Sequence, residues 1–310
     1  MPRRLPFLLG AFVAFLPFAA TRLPAGEAEK PAGDREKPAA EPPEIDWLSD
    51  YGEAVAAAES RGKMLLIHFT APGDDEPSGR FQQQTLSYPA VRERLTQYIC
   101  LRICLGATIA TRQGDERQEI ELIEHEGFAE MLGRPGIAII DYAHREAPYY
   151  GRVVSKFPIT EKLWYTPEKM QVILDLPAGT LTQRTLIYAV RTHPERPRST
   201  DGALCPNLVE EAAEHSRHQA RIRRQGHHDW ETRFHRITRD LPGGLVASEV
   251  CAESWPGERL LEAAIECVRS WRLSSGHWSA VRAEHEVYGY DMKRGSNGVW
   301  YATGLFGKRR

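Results

Sequence analysis

Three short, nearly unbroken apolar runs decide what the first half of this chain can become. They are Met64–Phe69, Tyr98–Leu105 and Ile137–Asp141. Each has the length of a strand and none alternates cleanly, so each fits a strand covered on both faces. Helical patterns fall between them. Tyr51–Arg61 carries Ala54, Ala57 and Ala58 on one face and is closed by Gly62. Val91–Gln97, a helix end at Phe128–Leu132, and Leu181–Arg191 complete the series. Strands alternating with helices predict an α/β layer fold for residues 45–192.

At 310 residues the chain is long enough for two domains. A Pro-rich polar stretch, His193-Pro194-Glu195-Arg196-Pro197 through Gly202, reads as the linker (193–202) to a second domain, 203–310. A net charge of -2 gives no reason to expect nucleic acid. The five cysteines include no Cys-x-x-Cys pair and no zinc-ribbon spacing. Cys100 and Cys104 lie in an apolar run and read as buried thiols, with a disulfide to Cys205, Cys251 or Cys267 left open.

The N-terminus predicts export. Arg3 and Arg4 precede an apolar run from Leu5 to Ala20, the pattern of a signal peptide over residues 1–25. Phe18 sits where a small residue is preferred, so an uncleaved anchor is the alternative. Either way the mature part is periplasmic, extracellular or held at the membrane by its N-terminus. Residues 26–44, rich in Pro, Ala, Glu and Lys, predict a disordered tether.

Trp47, the following helix, Gly62-Lys63, the strand Leu65–Phe69 and then Thr70-Ala71-Pro72 resemble the opening of a thioredoxin-like domain. Arg134-Pro135-Gly136 is similar to that fold's cis-proline position. The resemblance departs where the family's chemistry lives: Gly73-Asp74-Asp75-Glu76-Pro77 stands in place of Cys-x-x-Cys. Dithiol exchange needs an attacking thiolate and a resolving thiol. The expectation is a redox-dead scaffold or binding module, with no disulfide oxidoreductase activity. The acidic residues of that loop read as a polar turn, calcium binding being the other reading.

In the second half, Asn207 with Glu210 suggests a helix start of capping-box type. That helix carries Leu208, Ala212, Ser216 and Ala220 and runs to Gly226. Glu258–Trp271 reads as another helix, with Leu261, Ala264, Val268 and Trp271 on one face. Val287–Met292 and Val299–Leu305 read as strands joined through Gly295-Ser296-Asn297-Gly298, a hairpin signal.

Trp271-x-x-Ser274-x-Gly276-His277 is similar to the Trp-x-x-Ser-Pro-Gly-His of the bacterial branch of the CAP superfamily, with Ser275 in place of proline. This is the superfamily of cysteine-rich secretory proteins, antigen 5 and pathogenesis-related proteins. Ala252-Glu253-Ser254 resembles its Ala-Glu-Asn, and Tyr288-Gly289-Tyr290 with Tyr301 to Phe306-Gly307 its closing strands. The resemblance implies an α-β-α sandwich with a central antiparallel sheet, making the chain α/β and α+β in class. It also implies a cavity lined by His227, Glu253 and His277, with His228 as the alternative to His227. The resemblance also implies that such a cavity binds a divalent metal in some members, and that other surfaces bind sterols or lipids.

Two imidazoles and a carboxylate suit zinc with water at the fourth position, and such a site can activate water. The same groups serve equally as a hydrogen-bonded structural cavity. The expected role is non-enzymatic binding of a protein partner or an envelope or lipid ligand. A metal-dependent hydrolase and a lipid or sterol carrier are the alternatives. Arg217, Arg221, Arg223 and Arg224 read as a solvated helix face or a seat for anionic polymer or headgroups. Trp271 and Trp278 are expected in the core, and His215 and His218 on the surface.

Overall fold

The computed structural model describes residues 43–73, 76–113 and 116–309. The expected signal peptide, most of the tether, and Asp74-Asp75 of the acidic loop lie outside these residues.

The first half opens with β1 (Trp47–Leu48), α1 (Tyr51–Arg61), β2 (Leu65–Thr70), α2 (Glu76–Phe81), α3 (Pro89–Leu95) and β3 (Ile99–Cys104). A hairpin of β4 (Thr108–Gln113) and β5 (Glu116–Glu121) follows. Then come β6 (Gly136–Ile140), β7 (Val153–Pro158), α4 (Pro167–Leu174) and α5 (Leu181–Arg191). The main sheet has the order β1-β3-β2-β6-β7, parallel across its first three strands and antiparallel beyond. Strand β2 shows why its run does not alternate. Leu65, Ile67 and Phe69 pack with Ala54 and Ala58 of α1. Leu66 points the other way, into the core with α3, α4 and α5. Asp50 caps α1 by accepting from Glu53 N at 2.8 Å, and Gly62 ends it at φ 59°.

The second half comprises β8 (Ala203–Leu204), α6 (Pro206–Ile222), α7 (Trp230–Asp240), β9 (Val246–Glu253), α8 (Leu260–Leu273), α9 (Ser275–Arg282), β10 (Val287–Arg294) and β11 (Trp300–Lys308). Its sheet runs β8-β10-β11-β9, antiparallel except for the short β8–β10 pairing. Helix α6 covers one face, and α8 with α5 covers the other. The start of α6 differs from the expected capping box: Cys205 is the cap residue without a side-chain bond, and Pro206 supplies the first turn. That end of α6 lies directly on β10. A Cβ on Gly289 would sit 2.4 Å from the Leu208 backbone.

The two halves share one core, and residues 41–310 form one compact unit. Helix α5 is the common layer. It packs on β7 and on β10 with α8, and Arg184, Leu186, Ile187, Tyr188 and Val190 are all buried. Inside, Arg184 donates to Ser155 Oγ (2.9 Å) and to the carbonyls of Leu176 (2.9 Å) and Pro177 (2.8 Å). Across the seam, Thr182 donates to buried Asp291 at 2.6 Å, and Lys293 Nζ reaches the same carboxylate at 2.9 Å. The stretch 193–202 is laid along the second half. Ser199 N donates to Val281 O (3.2 Å), Ser199 Oγ pairs with Tyr290 OH (2.8 Å), and Trp278 Nε1 donates to Glu195 (2.8 Å).

A paired-histidine candidate site

His227 stands in the turn between α6 and α7, and buried residues of α6 fix that turn from below. His215 Nε2 donates to Gly226 O at 2.9 Å, while Gly226 N donates to Gln219 Oε1 at 3.1 Å. Gln219 is itself tied down, donating to Thr303 Oγ1 at 3.0 Å. His215, expected at the surface, is therefore a buried support. Burial pushes its pKa down to about 4, against the pull of Glu249, so the ring is neutral at pH 7.

Glu249, in the middle of β9, sets the orientation of His227. Its side chain is 1% exposed, and its Oε1 lies 3.0 Å from His227 Nδ1. The other oxygen meets Arg233 of α7 at 2.6 Å. Burial alone would raise this carboxyl. The bonds from His227 and Arg233 and the nearby positive charge outweigh it and hold Glu249 below its ordinary range. A carboxylate only accepts, so His227 Nδ1 carries the proton and its Nε2 presents a lone pair.

That lone pair faces His277. Helix α8 ends at Leu273, Ser274 takes an extended conformation (φ -109°, ψ 113°), and α9 restarts with His277 in its first turn. The two Nε2 atoms are 3.2 Å apart, with the rings inclined at 43°. His277 is the donor in this pair. Burial, and next the charge of His227, lower its pKa, which favours the neutral ring. The site is open: the His227 side chain is 40% exposed.

Of the sequence-predicted trio, His227 and His277 meet and Glu253 does not. Glu253 is exposed at the last position of β9, and it makes no described hydrogen bond or ion pair with either histidine. Four residues of strand separate it from Glu249, about 13 Å at 3.3 Å per residue. The carboxylate at the site is Glu249. His228, the alternative to His227, turns away and donates to Arg224 O at 3.2 Å.

A second set of donors lies beneath. His215, Glu249 and Cys251 are buried, with one ligand atom each within 4.8 Å of the others. Their chemistry is already committed. His215 Nε2 serves Gly226, Arg233 neutralises Glu249, and burial, reinforced by Glu249, raises the Cys251 thiol well above its usual pKa. In this arrangement the trio supports His227 from beneath.

In the first half, the position of a redox dithiol is occupied by the start of α2. All five cysteines are free thiols, and Cys100, Cys251 and Cys267 are buried. A cleft of about 630 Å³ remains there, lined by Arg80, Arg134, Pro135 and Trp164, with the Arg80 guanidinium 4.7 Å from the Trp164 ring. The expected cis-proline is not present: no described peptide bond is cis. Pro135 instead extends the β6–β7 pairing by one bond, its carbonyl accepting from Ile159 N at 2.7 Å.

Among the described residues no helix is long and apolar enough to cross a membrane. No curated protein sequence matches the chain. Solved structures with similarity include an outer surface protein from Borrelia burgdorferi, at 20% identity over 35% of this chain and 78% of that one (TM-score 0.29). A thioredoxin from Thermus thermophilus is 16% identical over 24% of this chain and 72% of its own (TM-score 0.18). A DsbH oxidoreductase is 13% identical over 42% of this chain and 85% of its own (TM-score 0.27). Residues 46–141 match the family described as thioredoxin-like, and that stretch of the chain is a thioredoxin-like domain.

Proposed function

We propose that this chain is an exported, non-enzymatic binding protein. In this reading a CAP-like C-terminal half seats a divalent metal, zinc by preference, between His227 and His277, and the thioredoxin-like domain is a redox-inactive scaffold or docking module. The observation that carries the reading is the 3.2 Å approach of the two Nε2 atoms, with Glu249 on the far side of His227. Two nitrogens bound tetrahedrally to zinc at 2.0–2.1 Å stand about 3.3 Å apart. A carboxylate on the second ring nitrogen is the usual support of a metal-bound histidine. A bound metal would supply Lewis acidity and open coordination positions facing solvent. Protein or envelope lipid partners are the ligands this reading envisages.

Zinc calorimetry on the metal-stripped protein tests it. Saturable one-to-one binding is expected, abolished by His277→Ala and weakened roughly 10–100-fold by Glu249→Gln. Glu253→Gln should leave the affinity unchanged. Equal affinity in the wild type and His277→Ala would remove the metal from this site. For the other half, the expected result is no reduction of insulin disulfides, because the loop before α2 supplies no thiol pair. Measurable turnover would overturn the redox-inactive reading.

A further inference from the structure

Charge bookkeeping around the histidine pair says what a metal held there would need next. Glu249 is the one buried carboxylate at the site, and Arg233 cancels it at 2.6 Å. Arg233 is itself held in, with a side chain 12% exposed and the Trp230 ring 5.6 Å from its guanidinium. The two imidazoles contribute no charge when they act as ligands. A divalent cation between them therefore keeps its full positive charge, at a place where His227 opens to solvent.

The segment leading to His227 carries further positive charge. Arg217, Arg221, Arg223 and Arg224 are exposed, and none makes a described ion pair with a carboxylate; Arg221 donates to His218 instead, at 3.0 Å. Three of them lie within six residues of His227 along the chain. Within residues 214–231 the exposed acids are Glu214, Asp229 and Glu231, one fewer than the four arginines.

We propose that the metal-loaded His227–His277 site binds an oxyanion, a carboxylate or phosphate group, as its external ligand, and that Arg233 creates this preference by neutralising Glu249. The inference rests on the metal reading above. It assigns Arg233 a positioning and charge-setting role rather than direct contact with the ligand.

The test uses the metal-stripped full chain, loaded with zinc for calorimetry and with cobalt(II) for visible spectra that report its coordination. Inorganic phosphate and acetate are the probe anions. In the wild type each should alter the cobalt spectrum saturably, and the tighter of the two identifies the ligand group. Arg233→Met should shift the two affinities in opposite directions. Metal binds more tightly, because Glu249 is no longer cancelled, and the anion binds roughly tenfold more weakly. Loss of structure alone would weaken both. Arg233→Lys keeps the charge and should preserve both affinities, which guards against misfolding of the methionine variant. Absence of zinc binding to the wild type would defeat the metal reading itself. Zinc binding with a cobalt spectrum indifferent to both anions, or an Arg233→Met variant that holds the anion as well as the wild type, would overturn this inference alone.

Discussion

Trp271→Ala should cost roughly 3–5 kcal/mol of folding stability, the range for truncating a buried aromatic side chain. The side chain is fully buried on the inner face of α8, with Tyr290 of β10 5.8 Å away between ring centroids. It belongs to the cluster that joins α5, α8 and the second sheet, so the cavity opens in the core common to both halves. Trp271→Phe should cost much less, about 1–2 kcal/mol, because it retains an aromatic face. The indole N–H makes no described hydrogen bond, so phenylalanine forfeits none. Urea unfolding, followed by fluorescence and circular dichroism, measures both. A cost for alanine below about 1 kcal/mol would mean the neighbours close over the gap, contrary to interior packing near crystal density. Because α8 ends just before Ser274 and His277, the alanine variant should also weaken zinc binding.

The parts of the fold legible in the sequence are those whose residues face one environment throughout. Strand β2 is apolar from Leu65 to Phe69 because both of its faces are covered, and the α1 alanines mark a close helix–sheet approach. Elements set by tertiary context left weaker traces. Strand β1 is two residues long, too short for any period, and exists through its pairing with β3. Strand β7 interrupts its apolar residues with Ser155 and Lys156, both buried. The shared core also had a sequence signal. Helix α5 is apolar on more than one side and carries a buried arginine, as a helix between two layers does. The Pro-rich composition of 193–202 cannot distinguish a free linker from one pinned by backbone bonds to Val281 and Arg282.

At the candidate site, the resemblance implied His227 and His277, which the structure brings together, and implied Glu253 where Glu249 stands. His277 follows a helix break and His227 a helix end, and both transitions are written in local sequence. Choosing Glu249 over Glu253 required recognising Val246–Glu253 as a strand. In that strand Glu249 and Cys251 face α6, while Val250 and Ala252 face α8. An acid in the middle of such a strand must be paired, whereas one at its end reaches water. The supports His215, Gln219 and Arg233 were out of reach in the same way, because their partners lie on the following turn and strand.

Stability should fall steeply with acid through His68, and His68→Leu should remove that part of the dependence. The His68 ring is fully buried on β2 between Trp47 and Phe81, and neither ring nitrogen has a described hydrogen bond. Burial, and next the positive charge of Arg102, lower its pKa from 6.5 to about 3. A folded-state pKa below the unfolded value means that the unfolded chain takes the proton first. The stability this neutral ring allows is thus complete above pH 6.5 and is lost progressively as the pH falls toward 3. Each pH unit in that window costs about 1.4 kcal/mol for one such group, and about 5 kcal/mol across all of it. Buried His215 titrates in the same direction down to about 4, and His193, His277 and His285 are lowered by burial too. The decisive quantity is therefore the difference between wild type and variant. Between pH 7 and 5, where carboxylates contribute little, the wild type should lose about 2 kcal/mol more than His68→Leu. At pH 7 leucine should be no less stable than histidine, since it removes two buried nitrogens that nothing satisfies. Urea midpoints at pH 5, 6 and 7 supply the numbers. Parallel pH profiles for the two proteins would show that His68 finds a partner or reaches water when it is protonated.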